Sequence, residues 1–507
     1  MPQDPTDDSV FPAPVYNRTV LAPLFEHSKR HYASDLMAIN RAHAVMLAET
    51  GVLAKPQAAT IVEALRDVEE GLDPNDLSYT GEVEDFFFFV EEELKGRLGP
   101  DLAGRLHTGR SRNDIDHTVF KLALMRRLDD LTGRVCALVD TAIDVADRES
   151  GTLIVAYTHG QPAQPSTFGH YLGALIEVLL RDLDRLAQAR DTVDRCSMGA
   201  AAITTTGFPI DRHRVADLLG FKQVQENAYG CIAACDYITA PYSAMKLLFV
   251  NLGRFAQDMA QWAAFEVRQL HVPDAYVQIS SIMPQKRNPV PLEHLRLLCS
   301  LAAGHCDGVI DVMRNTPFTD MNDSEAEVQT AGYEAFEKGG RALDLFDGLL
   351  GAVSIDEGRV RRNIQAGCIT ITELADTLVR REGLSFRQAH EIAAAVARAV
   401  VGAAGTLEES GFAPFRQAFE ATVGRTPGLD ENAYRQAVSA EHFVAVRDRF
   451  GGPAPAALQA ALKRYRAALN GHNGALKDRE ARRAAASQSL EAASRALAES
   501  RMNDGGD

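Results

Sequence analysis

Apolar positions follow helical spacing along most of this chain, and the length over which the spacing holds divides it into regions. Up to about residue 30 the prolines Pro2, Pro5, Pro12, Pro14 and Pro23 interrupt any rhythm and predict an extended arm. Helical patterning begins near Ser34 and runs through Leu36, Ile39 and Met46 to Gly51. A second helix is predicted over about Gln57 to Leu72 and a third over about Glu82 to Leu98. The third contains Phe86, Phe87, Phe88 and Phe89, which face several directions around a helix and predict burial on most sides. From Pro100 to Pro162 no proline intervenes, and Leu124, Leu128, Leu131, Val135, Leu138 and Ala142 step by four and three. Leu172, Leu175, Leu179, Leu183 and Leu186 nearly repeat that rhythm, as do Leu248, Leu252, Phe255, Met259 and Trp262 after Pro241. Such alternation is the seam of a long-helix bundle.

A third region begins near Thr370. Leu374 to Arg381 reads as a short helix stopped by Gly383, and Ser385 with Gln388 forms a capping box opening the next. From about Gly474 the chain is rich in Ala, Arg and Glu, only weakly amphipathic, and reads as a helical or flexible tail. The expectation is an all-α protein with an N-terminal helical domain over 1–115, a long-helix bundle over 116–366, a small helical domain over 367–470 and a tail over 471–507.

Bulk properties narrow the function. The 507 residues suffice for two or three domains, with 46% hydrophobic and 24% charged residues as in ordinary globular proteins. A net charge of −16 argues against a nucleic acid or an anionic membrane as the main partner. It leaves room for a small anionic substrate, because local cationic loops override a net field. Seven cysteines scattered from Cys136 to Cys368 form no metal-type cluster and predict reduced thiols in a cytoplasmic protein. Cys231 and Cys235, four apart, would share one face of a helix as packing residues. The acidic start M-P-Q-D-P-T-D-D has no apolar segment, and no apolar run is long enough to span a bilayer. Phosphate loops, metal-ligand spacings and a nucleophile elbow are missing, so neither cofactor nor metal is expected.

Candidate chemistry gathers in three loops. Over Gln278 to Leu295, Pro284, Pro289 and Pro291 keep the backbone irregular, and Pro291 suits the first position of a helix continued by Leu292, Leu295, Cys299, Ala302 and Cys306. The loop brings the hydroxyls of Ser280 and Ser281, the ammonium of Lys286 and the amide of Asn288 to a helix N-terminus. That arrangement suits an anion, or a transition state in which negative charge grows. A plain Pro-rich surface connection would share this composition. In Leu106 to Asp114, Gly109 permits a tight turn, Arg112 offers a fork for a carboxylate, and Ser111 and Asn113 add short polar groups. Asn113 or Asp114 could equally cap the helix that follows. In Tyr157 to Pro165, His159 lies in a polar loop bounded by Gly160 and Pro162, which favours an exposed, functional ring.

The run Ser280–Pro289 resembles the fumarase/aspartase superfamily signature G-S-S-x-x-M-P-x-K-x-N-P, with Ile279 in place of the leading glycine. H-T-G-R-S-R-N-D at 107–114 is nearly identical to the first signature of argininosuccinate lyases, and T-H-G-Q-P-A-Q-P at 158–165 resembles their second. Gly383 to Ile392 and Gly451 to Pro455 resemble their C-terminal segments, so the likeness runs roughly from Leu21 to Pro455. It implies a three-domain helical fold whose central bundle assembles four subunits, with active sites shared between them. It also implies anti-elimination from a small succinyl amine. By resemblance Ser280 is the base, activated by Lys286 and loop N–H groups, and Lys286 and Asn288 hold the aci-carboxylate. His159, oriented by Glu293, is the candidate acid for the leaving nitrogen. Thr158, Ser111, Arg112, Asn113, Gln161 and Asn322 contact substrate by the same likeness.

Where the branch reads D-E-D-I-H this chain has Val83 to Phe87, with Phe87 replacing a histidine. The tyrosine, glutamine and lysine that face the arginine part become Pro317, Asn322 and Glu325. The family's S-D-R-D becomes Ala233 to Asp236, and the aspartate after K-x-N-P becomes Val290. The fumarate half is kept while the amine half is rewritten, which predicts a different amine, in the manner of ethylenediamine-disuccinate lyase. Plain argininosuccinate lyase is the alternative. A non-catalytic, crystallin-like relative is the rival from another class.

Overall fold

A computed structural model describes residues 11–73 and 75–504. Five long helices form the body: Arg112–Arg148, Phe168–Val193, Asp236–Ala263, Val290–Val312 and Ala326–Ala352. Their four-three stripes bury Leu124, Leu128, Leu131, Leu175, Leu179, Leu248, Leu252, Leu295 and Leu343 in one continuous core. Two glycines let the third and fifth helices approach closely. A Cβ on Gly332 would lie 2.0 Å from the Tyr242 hydroxyl, and one on Gly339 2.2 Å from the Phe249 ring. Pro241 sits one turn inside the Asp236–Ala263 helix, which starts before the predicted window and forgoes one backbone hydrogen bond there.

The N-terminal region departs from expectation. Residues 1–10 of the predicted arm lie outside the described residues, but Pro14–Tyr16 and Ala22–His31 are helical, joined by a π-turn. Pro14 and Pro23 occupy the first two helix positions, where a missing N–H costs nothing. The helices Ala33–Glu49, Lys55–Gly71 and Phe86–Leu98 follow close to prediction. The last is capped by Asp85, whose carboxylate accepts from Phe88 N at 2.9 Å. Phe86 and Phe87 are buried, while Phe88 and Phe89 are half-buried.

A separate small core, including Leu374, Leu378, Ile392, Val396, Phe415, Phe419 and Tyr434, holds the C-terminal helices together. Gly383 ends Ile371–Glu382 in the left-handed region at φ 68°, and the Ser385–Gln388 capping box opens Phe386–Gly402. Pro455–Asp504 is a single helix running through positions 470 and 474. It lies against the bundle through Leu458, Leu462, Leu469, Leu490 and Leu497. Arg479 and Arg482 anchor it to the buried carboxylates of Asp129 and Asp194. Cys231 and Cys235 do not share a helix face, because the chain breaks at Ala234 between Ala228–Ala233 and the next helix. Among the described residues all seven cysteines are free thiols, and no helix is long and apolar enough to cross a membrane.

Candidate functional site

The first signature is a buried corner at the start of the Arg112–Arg148 helix. Ser111, rather than Asn113 or Asp114, is the N-cap, and its N–H donates to Asp114 Oδ1 at 3.0 Å. The other oxygen of Asp114 accepts from Gly199 N at 3.0 Å and Ala201 N at 2.9 Å, so one fully buried carboxylate ties two loops together. From the Ala33–Glu49 helix, Asn40 Oδ1 accepts from Arg110 at 2.6 Å and His43 Nε2 donates to Thr108 O at 2.9 Å. Burial pushes the His43 pKa down to about 3, so its ring is neutral. Sequence reasoning missed Asn40 and His43, since a contact across 65 to 70 residues leaves no local signal.

This corner opens on a cavity of about 380 Å³ lined by Ser111, Arg112, Asn113 and Asn322, four of the expected substrate residues. Arg112 is already engaged by its own chain: Asp85 at 2.7 Å, Glu84 at 3.1 Å and Asp116 at 3.4 Å. Burial works against its charge, but Asp116, Asp85, Glu84 and Glu325 more than reverse that and raise its pKa. Burial also raises the carboxyl of Asp116, and it raises that of Glu325 against the pull of Arg112. Asn113 Nδ2 donates to Asp320 at 2.8 Å. Asp116 was not anticipated, although its place four residues after Arg112 on a helix was readable.

The other two loops sit elsewhere. Leu153–Thr158 pairs with Gln161–Thr167 as an antiparallel hairpin whose two-residue turn is His159 at φ 53° and Gly160 at φ 73°. Thr158, His159 and Gln161 are exposed at its tip. The serine loop is a second hairpin, with Gln278–Ile279 paired to Arg287–Asn288. Ser280 Oγ accepts from Met283 N at 3.1 Å and Ile282 N at 3.5 Å, and Asn288 Nδ2 donates to Gln278 O at 3.1 Å. Arg287 ties the hairpin to Val272 O at 2.8 Å and to Asp274. Lys286 is exposed. The following helix begins at Val290 with Pro291 second, one residue earlier than expected, and carries exposed Glu293 in its first turn.

Gln269 roots the His159 hairpin at one end of the bundle. Its side chain bonds Val155 N at 3.0 Å and Val155 O at 3.3 Å, and its carbonyl accepts from Asp356 N at 2.9 Å. The strand Leu270–His271 that follows it, just before the serine loop, pairs with Ser354–Ile355 at the end of the Ala326–Ala352 helix. The first signature is at the opposite end. The 37-residue helix between Ser111 and the His159 hairpin is about 55 Å long at 1.5 Å per residue. The 27-residue Ala326–Ala352 helix, which starts at the cavity and ends beside the root of the serine loop, spans about 40 Å. One chain therefore does not bring its three loops into one cavity. Among the described residues no hydrogen bond or ion pair joins His159 to Glu293, and no cluster of side chains is placed to hold a metal.

Fold and signatures together define a carbon–nitrogen lyase of the fumarate-releasing type. The lyase family pattern matches residues 25–304, and the argininosuccinate lyase C-terminal pattern matches residues 368–445. The chain belongs to the argininosuccinate lyase branch of the fumarase/aspartase superfamily. It is 59% identical over 464 residues to argininosuccinate lyase 2 of Agrobacterium fabrum, covering 92% of each chain. It is 33% identical to argininosuccinate lyase of Nitrosococcus oceani over 88% of this chain and 92% of that one. An EDDS lyase variant solved with bound fumarate superimposes with TM-score 0.84 at 27% identity, over 95% of this chain and 97% of its own.

Proposed function

We propose that the chain cleaves an N-substituted L-aspartate by anti-elimination, with Ser280 as base, at sites completed by neighbouring copies in a cytoplasmic homotetramer. The observation that carries the reading is the setting of Ser280: two backbone N–H groups already converge on its Oγ, in the loop that carries Lys286. An alkoxide formed there meets donors in place, which makes a weakly acidic hydroxyl a usable base. Ser280 takes a proton from the carbon beside one carboxylate, and the electron pair moves into that carboxylate, held by Lys286 and Asn288. As the pair returns to form the fumarate double bond, the C–N bond breaks with its electrons on nitrogen, and His159, oriented by Glu293, supplies the proton. Thr158 and Gln161 lie on the same hairpin as His159, facing substrate. Ser111, Arg112, Asn113 and Asn322 form the wall that a neighbouring chain contributes.

The separation of the loops along about 55 Å of helix supports the shared site, because no hinge in a packed bundle closes such a gap. The amine is proposed to differ from arginine. The second reading, argininosuccinate itself, is favoured by the name of the 59% identical relative. The test is subunit mixing. Ser280→Ala and Asn113→Ala proteins, each inactive in releasing fumarate from succinyl amines, should regain part of the activity when unfolded and refolded together. Absence of recovery from two well-folded variants refutes shared sites, and an active Ser280→Ala protein refutes the base assignment.

A further inference from the structure

The cavity at the first signature has an unbalanced charge. Six carboxylates line it, those of Glu84, Asp85, Asp116, Asp320, Glu325 and Glu327, against one cation, Arg112. Arg112 is shared among three of them, and Asp320 receives only a neutral amide hydrogen from Asn113. The carboxylate of Glu325 is half-buried and makes no hydrogen bond or ion pair among the described residues, with Arg112 acting on it only at longer range. Independently of the acids, Asn113 is 8% exposed and its Oδ1, a buried acceptor, has no donor. A buried acceptor without a donor is costly, as is a half-desolvated carboxylate with no cation in contact. A group bearing both positive charge and N–H donors satisfies the two at once. Phe86, Phe87, Val119 and Phe120 give the same cavity an apolar side where methylenes can lie.

We infer that the amine parted from fumarate is an alkyl diamine or longer oligoamine without a carboxylate, whose distal ammonium seats between Glu325, Asp320 and Asn113 Oδ1. The assignment rests on the lyase reading above. An amino acid fits less well, since its own carboxylate would enter a wall already rich in carboxylates with its one cation taken. The raised carboxyls of Asp116 and Glu325 accord with a site that gains by receiving a cation. In the addition direction the proximal nitrogen, neutral on entry, forms the C–N bond to one fumarate carbon. The other carbon takes a proton and the nitrogen loses one, so the distal ammonium is bound and never reacts.

The experiment gives the whole enzyme fumarate with equal concentrations of 1,4-diaminobutane, n-butylamine or arginine, and follows loss of fumarate absorbance. The diamine should lead both others in kcat/KM by about tenfold or more, the worth of one charge-assisted contact. Glu325→Lys should reverse the order of diamine and arginine, and Asp320→Asn with Glu325→Gln gives a milder pair should that variant fold poorly. Arginine or butylamine leading in the unaltered enzyme overturns the diamine assignment and leaves the lyase reading standing. No consumption with any amine overturns the lyase reading, and the assignment is then judged by binding alone. In that arm 1,4-diaminobutane should raise the melting temperature of Ser280→Ala and not of Ser280→Ala/Glu325→Lys, and equal shifts, or none, overturn it.

Discussion

The first-signature corner and the serine loop are both parts of one proposed site, yet they are built in opposite ways. The corner is walled into the bundle: Asp114 accepts three backbone N–H groups, Asn40 holds Arg110 and His43 holds Thr108. The serine loop stands out in solvent on a hairpin with two residues per strand, and Ile279 and Ile282 are each 83% exposed. Large apolar side chains so exposed in one chain are suited to cover from a neighbouring subunit or a closed site. The contrast separates two tasks. A wall that recognises substrate gains from being rigid before binding, whereas a base that must meet a developing dianion gains from a segment able to close over it and expel water.

The sharpest way to break this contrast is to delete one group from each side. Ser280→Ala should lower turnover about a thousandfold with the melting temperature essentially unchanged. Asp114→Ala should lose turnover and also about 3 kcal/mol of stability, because three buried donors are orphaned at once. Equal stability losses in the two variants, measured by denaturant unfolding, would erase the distinction.

Acid comes next. Burial pushes His43 and His117 down to about 3, against 6.5 in the unfolded chain. A depressed folded value means the unfolded state binds protons first, so stability is whole above pH 6.5 and falls as pH drops from there toward 3. At pH 5.5 each ring should cost about 1.4 kcal/mol. Protection factors at the amides of residues 106–114 should fall over that range while those of the serine loop stay uniformly low. A melting temperature flat from pH 7 to 5 contradicts the neutral buried rings.

The smallest effect is expected at the loop's tether. Arg287→Ala frees Val272 O and exposed Asp274, which should leave the melting temperature almost unchanged. The same change should lower kcat/KM about tenfold, since a base displaced by an ångström acts poorly. If the rate is untouched, the loop is ordered by something other than its root.

Much of this was legible in local pattern. The leucine seams of the bundle, the Gly383 stop and the Ser385–Gln388 box depend on residues three or four apart, and those spacings are fixed by helix geometry. Pro14, Pro23 and Pro241 misled because proline excludes helix only from positions whose N–H is needed, and those positions depend on where the helix starts. The acid wall was half visible, in Glu84, Asp85 and Asp320, which keep acidic positions of the family's pattern, and in Glu325, which replaces its lysine. That Asp320 and Glu325 join the others in the cavity beside Arg112 and Asp116 was not, because those approaches bridge some 200 residues.

By itself the sequence determined the helices, the lyase branch and the identity of the three loops, all of which follow from short-range spacing and residue chemistry. Only the tertiary structure decided where those loops lie. A packed helix is a rigid rod, so 37 unbroken residues hold Ser111 and His159 at opposite ends of the bundle, and proximity in sequence becomes distance in space.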